Sequence, residues 1–396
     1  MSSQNPVFIP GPTNIPDRIR QAMQIQTFDH RAPGFPEYFK PILDDTKKVL
    51  GTKTGRALTF PSSGTGGWEA AITNVLSAGD KVLAARLGVF SHRWIDLCQR
   101  QGIEVQVVEC KWGAGTPAER FADILNDDKA HEIKAVLVTH NETATGVCSN
   151  VEAVRQAIDS ANHPALLLVD CVSSLASIEF QMDAWGVDIA VSGSQKGFML
   201  ATGMAIVGVS QKALSAMAEA AHTRCYFDFR DMIATNDQGS YPYTPPLPLI
   251  CGLRESLNML QEEGMANVWK RHNRLANGVR AAVEAWGLRL CAASPELYSD
   301  TVSTVMLPDN VDGNALTDHA NRAYGVSFGI GLGEIAGKCF RIGHLGALTD
   351  AMILSGLAVA EMALRDLGVK LELGAGVAAA QSQFMATSQM FAKEVA

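Results

Sequence analysis

No segment of this 396-residue chain approaches the run of about 20 apolar residues that a membrane-spanning helix requires. The opening Met1-Ser2-Ser3-Gln4-Asn5-Pro6 has no basic stretch leading into an apolar one, so neither secretion nor membrane insertion is expected. The eight cysteines form no C-x-x-C pair and no zinc-type spacing with histidine. They are expected to be reduced, mostly buried thiols of a cytoplasmic protein without a metal site. A formal net charge of -8 gives no electrostatic attraction to nucleic acid or to an anionic membrane, so any anionic ligand must be held by local groups. Internal repeats and low-complexity tracts are missing, and no G-x-x-x-x-G-K-[ST] phosphate loop occurs.

A hydrophobic content of 47% is ample for a large core, and the length exceeds one ordinary domain. Between residues 58 and 210 short apolar runs alternate with segments of helical spacing. Residues 81–85, 105–108, 135–139, 165–170, 188–191 and 205–209 read as strands buried on both faces, because each is nearly continuous in apolar residues. Residues 91–101, 118–125 and 151–161 read as the helices between them. The pattern predicts a largely parallel α/β sheet whose ligands lie at the carboxyl ends of its strands. One long helical stretch follows from Leu249 to Trp286. Strands near 301–307 and 339–342 and helices near 314–324 and 349–367 then predict a smaller α+β unit, with the boundary inside the long helix near residue 265. The Ala-, Gln- and Ser-rich end is expected to be a loosely held helix.

Lys196 sits in Ser192-Gly193-Ser194-Gln195-Lys196-Gly197, directly after one apolar run, and Asp170 ends another. A lysine in a loop is ordinarily a solvated one. This one is flanked by glycines and small hydroxyl residues and followed by Phe198-Met199-Leu200, which carries its amine inward, where desolvation lowers the pKa and makes a nucleophile. An amine and a carboxylate at neighbouring strand ends suit a Schiff base with an aldehyde cofactor and a protonated pyridine nitrogen. Ser62-Ser63-Gly64-Thr65-Gly66-Gly67, before a helix, suits a phosphate, although a plain helix cap explains it as well. Phe90 has the flat face that stacks on a ring, or is a core aromatic. Thr139 to Gly146 crowds polar groups at a strand's carboxyl end. Arg341 interrupts an apolar strand, either as half of an internal salt bridge or as a bidentate carboxylate clamp. Two further patterns, Gly325-Val326-Ser327-Phe328-Gly329 and Gly331-Leu332-Gly333-Glu334-Ile335-Ala336, match a hydrolase elbow and a dinucleotide fingerprint outside the contexts those motifs need.

The order of these parts resembles the class V aminotransferases, and within them the glyoxylate aminotransferases. The resemblance runs through Gly11-Pro12-Thr13-Asn14-Ile15-Pro16, Asp29-His30-Arg31, Gly66-Gly67-Trp68-Glu69, Phe90-Ser91-His92-Arg93-Trp94, Thr139-His140-Asn141-Glu142-Thr143, Gly193-Ser194-Gln195-Lys196-Gly197 and Arg341-Ile342-Gly343-His344-Leu345-Gly346. It implies the pyridoxal phosphate fold type I, an α/β architecture. An N-terminal arm (1–15) would precede a large domain (16–264) with a mostly parallel seven-stranded sheet between helices, and a smaller α+β domain (265–396) would follow. It implies pyridoxal 5'-phosphate as cofactor, with Ser63, Gly64, Thr65 and Gln195 on the phosphate, joined by Tyr241 and Thr244 from the other subunit of a homodimer or homotetramer. Phe90 and Val172 would flank the ring and Thr143 would approach its hydroxyl. Asp170 would bind its nitrogen, Lys196 would be the covalent anchor, and Arg341 would hold the substrate α-carboxylate. The implied reaction is ping-pong transfer of an amino group from L-serine or L-aspartate to glyoxylate. Leu87, Cys171 and Ala201-Thr202 depart from the family's usual residues. A second carboxylate on the donor would need a further cation, for which Arg31, Arg86, Arg93, Arg224 and His344 are available. A lyase or desulfurase of the same fold, and a serine hydrolase acting through Ser327, are the competing readings.

Overall fold

The computed structural model of the protein describes residues 6–392. The ends of the expected arm (1–5) and of the expected small domain (393–396) lie outside them. The described chain opens with β1 (Val7–Phe8), followed by β2 (Arg56–Pro61), β3 (Lys81–Arg86), β4 (Glu104–Glu109) and β5 (Ile133–Thr139). A short hairpin of β6 (Asn141–Glu142) and β7 (Val147–Cys148) precedes β8 (Leu166–Asp170), β9 (Ile189–Gly193) and β10 (Met204–Val209). The C-terminal third holds β11 (Arg289–Leu290), β12 (Val302–Met306), β13 (Ser327–Ile330) and β14 (Cys339–Gly343).

The large sheet has the order β2-β10-β9-β8-β5-β3-β4, and β10 pairs antiparallel with both of its neighbours while the remaining pairings are parallel. β8, β9 and β10 are buried at every position, which is why their sequences carry no polar alternation. The six strands expected from the sequence are all present. The seventh, β2, escapes a reading by hydrophobic runs because only Ala57, Leu58 and Phe60 are apolar and Thr59 is buried as the hydrogen-bonding partner of Tyr241.

Helix Gly64–Val75 packs on this sheet through its small residues. A Cβ on Gly67 would lie 2.6 Å from Cγ1 of Val191 in β9 and 3.3 Å from Cβ of Ala205 in β10. The helix therefore sits almost on the strand backbones, and its amino terminus is held over the strand ends.

The single long helix expected from Leu249 to Trp286 is two, Leu247–Glu263 and Met265–Ala285, broken at Gly264 with φ +80°. Glycine takes this left-handed conformation without the Cβ clash that other residues suffer. Beyond it the β1-β13-β14-β12-β11 sheet packs on a second core. That core includes Phe8, so the N-terminal strand, parallel to β13, belongs to the C-terminal sheet. The last helix is firmly seated, contrary to expectation. Ala380 and Phe384 are buried, Phe384 fills the space left by Gly278, and the Glu361 carboxylate accepts the amide hydrogens of Gly374, Gly376 and Val377 at its start.

Gly67→Ala tests the contact between helix and sheet. Overpacking against Val191 is expected to cost about 1–3 kcal/mol, read as a lowered urea midpoint at unchanged slope.

Candidate active site

β8 and β9 run parallel with Asp170 opposite Val191, so the carboxyl ends of two adjacent strands deliver Asp170 and, one tight turn later, Lys196 to the same place. The turn is fixed by Ser194, whose hydroxyl donates to the Ala201 carbonyl (2.7 Å) and whose amide donates to Met204 (2.9 Å). Gly197 permits its closeness, since a Cβ there would fall 2.2 Å from the Leu175 carbonyl. Both side chains line one cavity of about 340 Å³. Burial, with the charge of Arg341 behind it, pushes the Lys196 amine down to about 8 against the pull of Asp170. Burial likewise pushes the Asp170 carboxyl up to about 7, against a 2.9 Å hydrogen bond from the Val172 amide.

The same cavity gathers Ser63, Gly64, Thr65, Phe90, Thr143, Val172 and Gln195, all seven expected from the sequence. Ser63 stands at the amino-terminal cap of helix Gly64–Val75 in extended conformation, yet its side chain does not cap the helix. The helix end thus offers its free amide hydrogens and positive dipole to the cavity. Beside it the Gln195 Oε1 is buried without a hydrogen-bond partner. Gly64 lets Val172 approach, for a Cβ would lie 2.5 Å from its Cγ2. An anion-receiving helix end, a buried amine and a buried carboxylate fit the two ends and the reactive carbon of pyridoxal phosphate.

Arg341, in β14, is 6% exposed and forms no ion pair among the described residues. Its Nε donates to the Ile330 carbonyl (2.8 Å) and its Nη1 to the Thr143 carbonyl (3.0 Å), which aims the guanidinium and leaves Nη2 free. Burial lowers its pKa to about 10. The internal salt bridge weighed for it in the sequence is therefore not formed.

Tyr241 and Thr244 do not join this cavity within one chain. Tyr241 is buried against Phe39 with its hydroxyl on Thr59, and Thr244 is exposed. Of the departures from the family pattern, Thr202 lines the cavity, while Leu87 and Cys171 pack into the core. None of the five cations considered for a second carboxylate lines it. Arg86 pairs with Glu109, Arg224 faces Asp228 at 3.6 Å with its Nη1 on the carbonyls of Thr73, Ala220 and His222, and buried His344 is pushed down to about 3 between Ser303 and the Asp300 carbonyl. Arg93 lies over the Phe90 ring, and Arg31 is exposed. Ser327 lies within β13, accepting from Asn321 (2.9 Å), and the strand leads toward a 3-10 turn rather than the helix of a hydrolase elbow. No cysteine lines the cavity among the described residues.

Sequence reasoning missed three contributors. Trp68 lines the cavity from the second turn of helix Gly64–Val75, backed by Trp94 at 5.8 Å. Ser173 receives the Thr143 hydroxyl at 2.6 Å. Gly11 and Pro12 reach in from the arm: Lys196 Nζ donates to the Pro10 carbonyl, and a Cβ on Gly11 would lie 2.6 Å from that nitrogen. For Trp68 the available signal was its position one turn after the phosphate-type glycines. For the arm the signal was the stretch Gly11 to Pro16, which carries the family resemblance, but nothing local in it places Gly11 and Pro12 at Lys196.

The buried amine makes a prediction about pH. Its folded value of about 8 lies below the ordinary 10.5, so the cost of burying the ammonium is full below pH 8 and is lost as pH rises through 10.5. In cofactor-free protein Lys196→Met is expected to melt above the wild type at pH 7, by the equivalent of about 3 kcal/mol. That advantage should shrink by pH 10, as read by calorimetry at the two values.

The description "Aminotransferase class-V" belongs to the family model that matches residues 11–327. The chain is 58% identical over 396 residues to L-aspartate–glyoxylate aminotransferase of Paracoccus denitrificans, with 100% of each chain covered. It is 57% identical over 380 residues to serine–glyoxylate aminotransferase of Hyphomicrobium methylovorum, covering 96% of this chain and 94% of the other. Among solved structures it resembles pyridoxamine-pyruvate aminotransferase of Mesorhizobium loti, with a TM-score of 0.90 at 28% identity over 98% of this chain and 99% of that one. With Asp170 and Lys196 at adjacent strand ends and a match of this extent, the chain belongs to the class V aminotransferases and takes pyridoxal 5'-phosphate as its cofactor.

Proposed function

We propose that this enzyme transfers the amino group of L-serine or L-aspartate to glyoxylate, forming glycine, in a ping-pong cycle at the cavity around Lys196. The observation that carries the reading is the convergence of a desolvated amine and a buried carboxylate on one small cavity, with Arg341, an arginine without a carboxylate partner among the described residues, held behind the Thr143 wall of that cavity. Glyoxylate as acceptor is supported by the two relatives above, which share it and differ in donor.

Ser63, Gly64, Thr65 and Gln195 would hold the cofactor phosphate at the helix end, and Phe90 and Val172 would flank its ring. Thr143, its hydroxyl already given to Ser173, would present a lone pair to the ring hydroxyl. When bound, the cofactor supplies an electrophilic carbon and an electron sink. Lys196 is the covalent anchor. Its amine, pushed down to about 8, is unprotonated in useful amount near neutral pH and, once released, moves the proton at the substrate α-carbon. Asp170 keeps a proton on the ring nitrogen by setting its carboxylate against it. Arg341 orients the substrate through its α-carboxylate. For substrates this small little other binding energy is available, so orientation governs the rate.

In a homodimer or homotetramer, Tyr241 and Thr244 of the partner subunit would complete the phosphate end. An aspartate side chain would likewise draw its second cation from outside this chain's own cavity lining. A cytoplasmic location suits a chain in which no described helix is long and apolar enough to cross a membrane. The two separate cores support a division into an arm (1–15), a large domain (16–264) and a small domain (265–396).

Two experiments test this reading. The purified enzyme is expected to show a visible absorbance band and to incorporate borohydride label at Lys196. A colourless protein that takes no label there overturns the assignment, and bleaching of the band by serine, aspartate and alanine in turn ranks the donors. Arg341→Gln is expected to cut kcat/KM by about a hundredfold, with kcat lowered as well as KM raised, as loss of an orienting charge-assisted pair does.

A further inference from the structure

Glu142 is a fully buried carboxylate with no part in the chemistry above. Its Oε1 accepts the amide hydrogens of Phe90 (3.2 Å) and Ala144 (3.1 Å). Its Oε2 accepts those of Phe90 (3.1 Å) and Ser91 (2.9 Å) together with the Ser91 hydroxyl (3.1 Å). Every backbone partner is a donor, which suits a carboxylate and no neutral side chain of the same shape. The site is the amino terminus of helix Val89–Arg100, whose positive dipole end favours an anion. Gly88 is fitted to it, since a Cβ there would fall 2.6 Å from the Glu142 carboxyl carbon.

Two working parts of the cavity meet at this carboxylate. On the helix side it fixes Phe90, the ring wall. On its own side, β6 ends at Glu142, and the next residue, Thr143, turns its hydroxyl to Ser173 and its carbonyl to Arg341. The Glu142 carbonyl itself accepts from Gly146 (2.9 Å), closing the hairpin. A displacement of this side chain therefore moves a cofactor wall and the support of the carboxylate clamp together.

We propose that Glu142 is a positioning residue for the transamination, its buried carboxylate locking the helix that carries Phe90 to the loop that carries Thr143, so that ring wall and Arg341 clamp stay in one register. The proposal rests on the site reading above. A simple helix cap would stabilise the fold and nothing more.

Glu142→Gln separates these roles, because its amide nitrogen must face backbone N–H groups and disturb both sides of the lock. KM for donor and for glyoxylate is expected to rise about tenfold with a smaller change in kcat. Pyridoxamine 5'-phosphate, which forms no bond to Lys196, is expected to bind about tenfold more weakly. The visible circular dichroism of the bound cofactor should change, while borohydride labelling of Lys196 persists. A lowered melting temperature with KM, binding and dichroism all unchanged would overturn the proposal and leave a structural cap. Should the Gln variant fail to fold, Ser91→Ala, which removes one hydroxyl from the lock, must show the same KM-weighted split at smaller size, and its absence is equally fatal. If the wild-type enzyme takes no label at Lys196, the site reading fails first, whatever Glu142 variants do.

Discussion

The parallel pairing of β8 with β9 is the constraint from which the site follows. It aligns Asp170 with Val191, so the carboxylate and the lysine turn emerge side by side from one end of the sheet. Helix Gly64–Val75 can then place its amino terminus beside the pair, because Gly67 allows it to sit on β9 and β10. The ends of these two strands, with the tight turn after β9, bring the Lys196 amine and the Asp170 carboxylate together, at the strand ends where ligands of parallel α/β sheets generally lie.

Much of this was legible in the sequence. Strands buried on both faces betray themselves as unbroken apolar runs, and the residues that break such runs at their carboxyl ends, Asp170 and Lys196, stand out for the same reason. Seven of the residues expected around them line one cavity with them, whereas Arg341, Tyr241 and Thr244 do not line it. What was not legible is long-range or locally ambiguous. β2 carries a buried threonine whose partner, Tyr241, is distant in the chain. Gly264 inside a helical pattern reads as a tolerated glycine until its positive φ is seen. The last helix looks loosely held because alanine, glutamine and serine give a weak apolar stripe, yet Phe384 and the Glu361 cap anchor it.

The arm and Glu142 show why a site is harder to read than a fold. Residues 7–8 add a strand beside β13, and Pro10 and Gly11 then reach Lys196, so one short segment touches the C-terminal sheet and the Lys196 turn. Glu142 does the same between a helix end and a hairpin. In each case the residue is informative only through partners dozens or hundreds of positions away, and no spacing rule reaches that far.

The two central ionisable groups carry the last consequence. Burial, aided by the charge of Arg341 at the amine and of Glu142 at the carboxyl, drives Lys196 downward and Asp170 upward, each toward its neutral form, and their mutual attraction only partly opposes this. A cavity so arranged is costly for the empty chain, since two groups are desolvated with few hydrogen bonds in return. The cost falls when a ligand brings a carbon for the amine and a cationic nitrogen for the carboxylate. The same desolvation that weakens the empty fold thus selects the ligand and readies the amine, and stability and chemistry are set by one pair of strand ends.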